Sequence, residues 1–261
     1  MTVHPKSGER SLHPNRTTGD RKVNLLPSRI GLLMDHPSPH MVAFLDALAD
    51  RPDCTVEVLY CNRHAPGRGW GAPLGRLPYR FVSGVTLLND FRINPNILGT
   101  MKKTRADIWV INTCYTSPTT LMAVGWLHQK RIPWVYMNEP PRPRHGAFLA
   151  IKNPLISYVL SRAWGIIGTG HKAEAMYREL FSKDKPTDTI PYYIDLNPFH
   201  KLPLPDLMLR GAPVKFVTSS QMIRRKAVDV LLNACKLLPP NGWQLTLVGE
   251  GPLRARFESE F

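Results

Sequence analysis

The chain has 261 residues, 43% of them hydrophobic, and a formal net charge of +14. This length and apolar content exclude a wholly disordered chain and allow one large domain or two modest ones. The excess of Lys and Arg favours anionic partners, such as phosphorylated ligands or acidic lipid surfaces. No segment has the spacing of a nucleic-acid-binding motif, so no nucleic-acid partner is expected.

Residues 1–27 are polar and basic and are predicted to be a disordered tail. Between residues 28 and 196, short apolar runs alternate with segments of helical period. The predicted strands are residues 30–34, 56–61, 81–87, 108–112, 134–138, 165–168 and 189–194. The predicted helices are residues 41–49, 96–105, 148–162 and 172–181. The alternation predicts an α/β, Rossmann-like domain with a doubly wound parallel sheet, followed by a proline-rich linker at residues 197–213.

Two apolar segments are candidates for membrane contact. Residues 108–127 form an uncharged run, but polar residues interrupt its middle, which predicts a strand, a turn and a helix rather than a membrane span. The helix at residues 148–162 has an apolar stripe from Leu155 to Leu160 near Lys152 and Arg162. Two interpretations of this helix stay open: it packs on the sheet, or it lies on an acidic membrane surface.

The four cysteines are scattered and have no spacing typical of a zinc site, so no metal site is expected. They are interpreted as small buried hydrophobes in a reducing compartment. The first residues lack the apolar core of a secretory signal. The expected location is therefore the cytoplasm. The basic charge also suggests an alternative, in which the protein attaches peripherally to the inner face of the plasma membrane.

The segment 214–261 carries the most informative pattern of the chain. An apolar strand at residues 214–218 leads to the basic turn Arg224-Arg225-Lys226 and a helix at residues 228–238. A second strand at residues 243–248 ends in Gly249-Glu250-Gly251-Pro252. Both turns are expected at the carboxyl edge of one parallel sheet, where open α/β sheets bind ligands. Cations on one turn and glycines on the next predict a phosphate-bearing ligand.

This pattern resembles the nucleotide-sugar domain of the group 1 retaining glycosyltransferases of GT-B fold, and the resemblance extends from about Ser28 to the end. It implies transfer of a sugar from a nucleoside-diphosphate sugar to a hydroxyl of a glycan, lipid or small molecule. It also implies that no metal or other cofactor is required. In this family a lysine at the position of Lys226 holds the donor diphosphate, and the residue after it is usually glycine, where this chain has Ala227.

The resemblance assigns further donor-side residues. A second cation usually lies five or six residues before the lysine, where this chain has Ser220 and Gln221, so Arg224 and Arg225 are the candidates to replace it. Arg225 joins Lys226 in the expected catalytic set. The donor-binding candidates implied by the resemblance are Gln221, Arg224, Gly249, Glu250 and Gly251.

The resemblance also predicts that the donor domain, residues 214–261, is truncated. The family continues through more strands to two glutamates, eight residues apart, that hold the donor. Glu250 and Glu258 have this spacing, but Glu250 belongs to the glycine turn, so the coincidence is interpreted as unrelated. Two strands are too few to bury a parallel sheet. The alternative functions are a catalytically inactive fragment and a module that binds acidic membranes or polyanions.

Four histidines and one glutamate are the acceptor-side candidates, because each follows a predicted strand of the first domain. They are His36, His40, Glu139, His145 and His171. Glu139 is the third member of the expected catalytic set, as the residue that would orient an acceptor hydroxyl. For each residue a structural interpretation stays open beside the functional one, namely a helix cap or a surface histidine.

Overall fold

The computed structural model describes residues 28–64, 74–87, 91–139, 148–181, 185–201 and 213–260. The predicted tail at residues 1–27 and most of the predicted linker lie outside the described residues. The chain divides into two compact units, Met1–Asp195 and Leu196–Phe261. Among the described residues, no helix is both long enough and apolar enough to cross a bilayer.

The first unit alternates strands and helices along the chain. Its strands are β1 (Ser28–Met34), β2 (Cys54–Tyr60), β3 (Tyr79–Phe81), β4 (Val85–Leu87), β5 (Phe91–Ile93), β6 (Ile108–Asn112), β7 (Trp134–Asn138), β8 (Gly165–Gly168) and β9 (Thr187–Thr189). Its helices are α1 (Pro39–Ala49), α2 (Ile97–Thr104), α3 (Pro118–Gln129), α4 (Phe148–Arg162) and α5 (His171–Phe181). The expected strand, turn and helix in residues 108–127 are confirmed by β6 and α3.

Seven of these strands form one sheet in the order β3-β2-β1-β6-β7-β8-β9, and every neighbouring pair is parallel. The predicted doubly wound parallel sheet is therefore confirmed. The chain builds one half of the sheet outward from β1 and then crosses to β6 to build the other half. β1 and β6 thus flank the topological switch point, where open α/β sheets form their ligand crevice.

Each face of the sheet has its own apolar core, because side chains alternate along a strand. Leu33, Trp109 and Ile111 lie in one core together with buried residues from α2, α3, α4 and α5. Leu32 and Met34 point to the other face and pack with Leu45 of α1 and its neighbours. The continuous apolar character of β1 follows from burial on both faces.

The predicted strand at residues 81–87 is wrong. β3 ends at Phe81, and β4 belongs to a separate antiparallel pair with β5. The side-chain amide of buried Asn94 donates to the carbonyls of Val82 (2.8 Å) and Cys61 (3.1 Å). The chain leaves the sheet here because a side chain, rather than a neighbouring strand, satisfies the carbonyl of Val82.

Two further elements and one cysteine differ from the prediction. The strand expected at residues 189–194 covers Thr187–Thr189 instead, since pairing stops before Pro191, which has no N–H to donate. The predicted linker contains a short helix, α6 (Asn197–His200). Cys114, interpreted as buried, is exposed in the turn after β6.

The apolar side of α4 packs into the protein. Ile156, Val159 and Leu160 are at most 2% exposed and belong to the core that contains Leu33. Of the two interpretations of this helix, the structure shows the one in which the stripe packs on the sheet. These three side chains are not exposed to a membrane surface.

The second unit contains two parallel strands, β10 (Val214–Ser219) and β11 (Trp243–Val248), paired from Val214↔Trp243 to Ser219↔Val248. Helices α7 (Val228–Cys235) and α8 (Arg254–Glu260) cover one face through a small core. The buried members of that core are Met222, Val228, Leu232 and Phe257. α7 ends three residues before the predicted helix end. On the other face, Val217 is 69% and Val248 is 51% exposed.

Candidate functional site

In the first unit, polar residues follow the strands at the carboxyl edge of the sheet. Asp35 comes directly after β1, Thr113 and Cys114 follow β6, and Glu139 follows β7. The register pairs Met34 with Asn112, so the residues beyond β1 and β6 are neighbours. This edge is the candidate acceptor side of the molecule.

Asp35 occupies the switch point between β1 and β6. The backbone N–H of Cys114 donates to Oδ2 of Asp35 over 3.1 Å, which links the two strand ends. The residue is partly buried. Burial raises the pKa of its carboxyl to about 6, against the lowering effect of the Cys114 hydrogen bond. An ionisable group with a raised pKa in a ligand crevice is typical of a functional residue.

The backbone of Glu139 is held in place by two side chains. Its N–H donates to Oδ1 of Asn138 (2.9 Å), and its carbonyl accepts a hydrogen bond from the Tyr177 hydroxyl (2.6 Å). Its carboxylate accepts a hydrogen bond from the hydroxyl of Tyr192. The side chain is exposed and oriented, so it is available to a ligand at this edge.

His40 belongs to the same cluster as Glu139. The edge of its ring meets the ring of Tyr192 with the centroids 4.7 Å apart and the planes at 89°. Its Nε2 lies 3.4 Å from Oγ of Ser38. The structure therefore brings two predicted site residues, His40 and Glu139, together through a tyrosine that the sequence did not indicate.

The other three histidines have different surroundings. His36 is a partly buried member of the loop after β1. His171 begins α5 with a 91% exposed side chain, and its Nδ1 lies 3.6 Å from the Glu174 carboxylate one turn later. That contact favours the structural interpretation of His171. His145 lies outside the described residues.

In the second unit, the two predicted turns lie side by side at the carboxyl edge of β10 and β11. Ser220 N–H donates to Val248 O (3.0 Å), and Met222 N–H donates to Glu250 O (2.9 Å). The hydrogen bonds join the segment before the basic turn to the glycine turn. The cations and the glycines are consequently on one edge of the sheet.

The basic residues form a short 3-10 helix, Arg224–Lys226, with all three side chains exposed. Among the described residues, none of the three has a carboxylate partner within ion-pair distance. Their positive charge is therefore not neutralised within the described part of the protein. Gln221, the donor-binding candidate just before them, is partly buried.

Gly249 and Gly251 are required by close backbone contact between the turns. A Cβ on Gly249 would overlap the carbonyl oxygen of Ser220, and one on Gly251 would lie 2.5 Å from the carbonyl oxygen of Met222. Glu250 between them forms an ion pair with Arg254. The turn also borders a pocket of about 480 Å³ with Met222, Leu247 and Phe257 in its lining.

Ala227 follows Lys226 in the left-handed conformation, with φ +52° and ψ +36°. An L-residue pays about 1–2 kcal/mol for this conformation, whereas glycine adopts it freely. A glycine at this position would therefore remove the backbone strain.

Ala227→Gly is expected to stabilise the second unit by about 1 kcal/mol, because relief of the left-handed strain exceeds the added entropy of the unfolded chain. The matched control is Ala234→Gly in α7, which is expected to destabilise by about 1 kcal/mol. Denaturant titration followed by hydrogen exchange of β11 measures both. Equal effects of the two substitutions would contradict the assigned conformation.

Sequence reasoning missed two residues of the candidate site. Asp35 was recognisable, because it is an acidic residue at the first position after a buried strand. Tyr192 carried no signal, since its contact with Glu139 spans 53 residues and depends on the path of the chain after β9.

Comparison with known proteins gives likeness of structure without likeness of sequence. No protein-family model matches the sequence, and no curated protein matches it. HepE from Anabaena, solved with UDP and glucose, aligns with TM-score 0.55 and 13% identity over 89% of this chain and 64% of that chain. Sucrose-phosphate synthase from Thermosynechococcus elongatus aligns with TM-score 0.54 and 17% identity over 89% and 66%.

A third similar structure is an alpha-glucosyltransferase solved with UDP and a 13-mer DNA containing an HMU base. It aligns with TM-score 0.51 and 11% identity over 90% of this chain and 60% of that chain. At these identities the likeness shows the fold alone, and it confirms the predicted GT-B-like architecture. The chain spans 60% to 66% of the length of these three structures.

Proposed function

We propose that this chain is a glycosyltransferase polypeptide of the retaining group 1 kind, which transfers a sugar from a nucleoside-diphosphate sugar to a hydroxyl acceptor. The observation that carries the proposal is the hydrogen-bonded pair of turns after β10 and β11. It puts three cations without a described carboxylate partner on the same edge as a turn that contains two glycines, Gly249 and Gly251. Two of the structures with this fold were solved with UDP.

The donor diphosphate would lie over these turns. Negative charge builds on the diphosphate as the bond to the sugar breaks, and a fixed cation stabilises that charge. Lys226 and Arg225 are the proposed source of the cation, with Arg224 in the place of the missing family arginine. Gly249 and Gly251 would let the backbone approach the ligand. Gln221 would also contact the donor, and the Glu250 carboxylate would accept a hydrogen bond from a hydroxyl of the donor rather than contact the diphosphate. In this proposal the nucleotide sugar is the donor substrate, and no cofactor takes part.

The acceptor would bind at the carboxyl edge of the seven-stranded sheet. Glu139, oriented by Tyr177 and Tyr192, would accept a hydrogen bond from an acceptor hydroxyl. His40 would line the same region. Both side chains can exchange hydrogen bonds with a polyhydroxylated molecule.

Lys226→Ala tests the donor site. Loss of one charge-assisted hydrogen bond to the diphosphate is expected to weaken UDP binding about ten-fold or more, because such a bond contributes about 1.5–3 kcal/mol. Titration calorimetry with UDP and an assay of sugar transfer measure the effect.

The control is Lys215→Ala, which removes an exposed lysine near the start of β10 in the same unit. It is expected to leave UDP binding unchanged. If Lys226→Ala binds UDP as tightly as the unchanged chain does, Lys226 has no role at the diphosphate. If the unchanged chain itself binds no nucleoside diphosphate, the proposed donor site is absent.

The second candidate function is a binding module that does not transfer sugar. The observation in its favour is an exposed sheet face in the second unit. The two described strands form a parallel sheet, and Val217 and Val248 on one face of it are exposed. Parallel sheets are normally buried on both faces. UDP binding without turnover of any UDP-sugar, in the presence of a hydroxyl acceptor, would favour this function.

A further inference from the structure

Asp35 is a carboxylate with unused hydrogen-bonding capacity at the switch point. An ionised carboxylate has about four lone-pair positions. Among the described residues, the Cys114 N–H is the one donor that contacts the side chain of Asp35, and it contacts Oδ2. No described Lys, Arg or His lies within ion-pair distance. A partly buried carboxylate that serves structure alone normally has more partners than this.

The polar side chains beside Asp35 already serve the fold. The Asn112 amide donates to Met137 O (2.7 Å), the Asn138 amide donates to Thr113 O (3.1 Å), and the Tyr136 hydroxyl donates to the same carbonyl (3.1 Å). These groups hold the ends of β6 and β7 together. Asp35 differs from these groups, because most of its hydrogen-bonding capacity is not used by the described part of the protein.

The unused hydrogen-bonding capacity of Asp35 favours ligands that donate hydrogen bonds over anionic ligands. A carboxylate can only accept hydrogen bonds, so it binds O–H or N–H donors and repels phosphates and carboxylates. Its Oδ2 accepts the hydrogen bond from the Cys114 N–H, so Oδ1 is the oxygen left for a ligand. Glu139 adds a second carboxylate at the same edge of the sheet. Neutral molecules with several hydroxyls match this pair.

We propose that Asp35 binds the acceptor, with Oδ1 accepting a hydrogen bond from a hydroxyl of a neutral sugar. The inference rests on the proposed function, because it places a sugar acceptor at this edge. It makes Asp35 a specificity-determining residue and neutral sugars the acceptor class. A phosphorylated or acidic acceptor would be repelled by the carboxylates of Asp35 and Glu139.

The test uses the full chain and a set of probes: methyl α-glucoside, methyl α-galactoside, methyl α-mannoside and glucose 6-phosphate. Ligand-observed saturation-transfer NMR and titration measure the affinity of each. At least one neutral glycoside is expected to bind, with glucose 6-phosphate at least ten-fold weaker. Asp35→Asn, which keeps the shape and loses the charge, is expected to weaken glycoside binding ten-fold or more.

Two controls separate the possible failures. Asp53→Asn makes the same change at an exposed aspartate that pairs with Arg51, and it is expected to leave glycoside binding unchanged. UDP affinity reports on the donor site in the second unit, and hydrogen exchange of β1 and β6 shows that the first unit of each variant is folded. The inference about Asp35 is overturned if Asp35→Asn binds glycosides as tightly as the unchanged chain, or if no neutral glycoside binds. In either case the proposed function stands as long as the unchanged chain binds UDP. Absence of UDP binding in the unchanged chain overturns the proposed function instead.

Discussion

Replacing Gly249 with alanine is expected to destabilise the second unit by about 3 kcal/mol or more. The new Cβ would overlap the carbonyl oxygen of Ser220, and that carbonyl belongs to backbone rather than to a flexible side chain. The residue also has a φ of +151°, which L side chains rarely adopt. The clash and the backbone strain each contribute about 1–3 kcal/mol. The two turns must separate to admit the methyl group.

Gly242→Ala is the matched control, since Gly242 lies in the same unit with φ +94° and nothing within 4 Å of its added Cβ. It carries backbone strain without a clash, so it is expected to cost about 1 kcal/mol. Hydrogen exchange of residues 214–219 and 243–248 measures the local stability of both variants. Equal protection in the two variants would show that the turns do not touch as described.

Separation of the turns has a functional consequence. The hydrogen bonds from Met222 N–H to Glu250 O and from Leu253 N–H to Met222 O form the link that keeps the cations beside the glycine turn. A variant that retains the fold of the first unit but loses this link is expected to lose UDP affinity as well. The stability of the second unit and the donor site therefore depend on the same backbone contact.

Local patterns sufficed for the strands and helices near the candidate site. Buried runs such as β1 and β6, and the turn residues after β10 and β11, are visible in the sequence because their periodicity and glycines are local properties. The alternation predicted a doubly wound parallel sheet, whereas the pairing of β1 with β6, which puts Asp35 and Cys114 at neighbouring strand ends, was not predicted.

Contacts distant in sequence were not predictable. Asn94 ends the strand after Phe81 by bonding to carbonyls 12 and 33 residues away, which no local pattern announces. Tyr192 contacts Glu139 across 53 residues, after β9 has ended at Thr189. The burial of Asp35, and hence its raised pKa, depends on how the strand ends close around it.

Asp35 is expected to make the first unit less stable as the pH rises. Burial raises its pKa from 3.8 to about 6 in the folded protein. The folded state therefore holds the proton more tightly than the unfolded state does. The stability that protonation provides is fully present below pH 3.8 and is lost as the pH rises through about 6. Above pH 6 the folded protein carries a desolvated negative charge.

Asp35→Asn removes this charge while an amide oxygen can still accept the Cys114 N–H. At pH 8 the variant is expected to be more stable than the unchanged protein by up to about 3 kcal/mol. The solvent exposure that Asp35 retains reduces this gain. Near pH 4 the difference should fall to about 0.5 kcal/mol. Denaturant titration of the first unit through Trp109 and Trp134 fluorescence gives both values.

Asp53→Asn provides the opposite control. Its carboxylate is exposed and forms hydrogen bonds with Arg51 that lower its pKa, so its loss should destabilise slightly at neutral pH, and the effect should vanish in acid. A pH-independent difference for Asp35→Asn would mean that Asp35 is not desolvated. A stabilisation that grows with pH would show that the fold tolerates an unfavourable charge at the switch point. Because a residue that serves only the fold would have been free to lose that charge, such a result would favour a role in binding for Asp35.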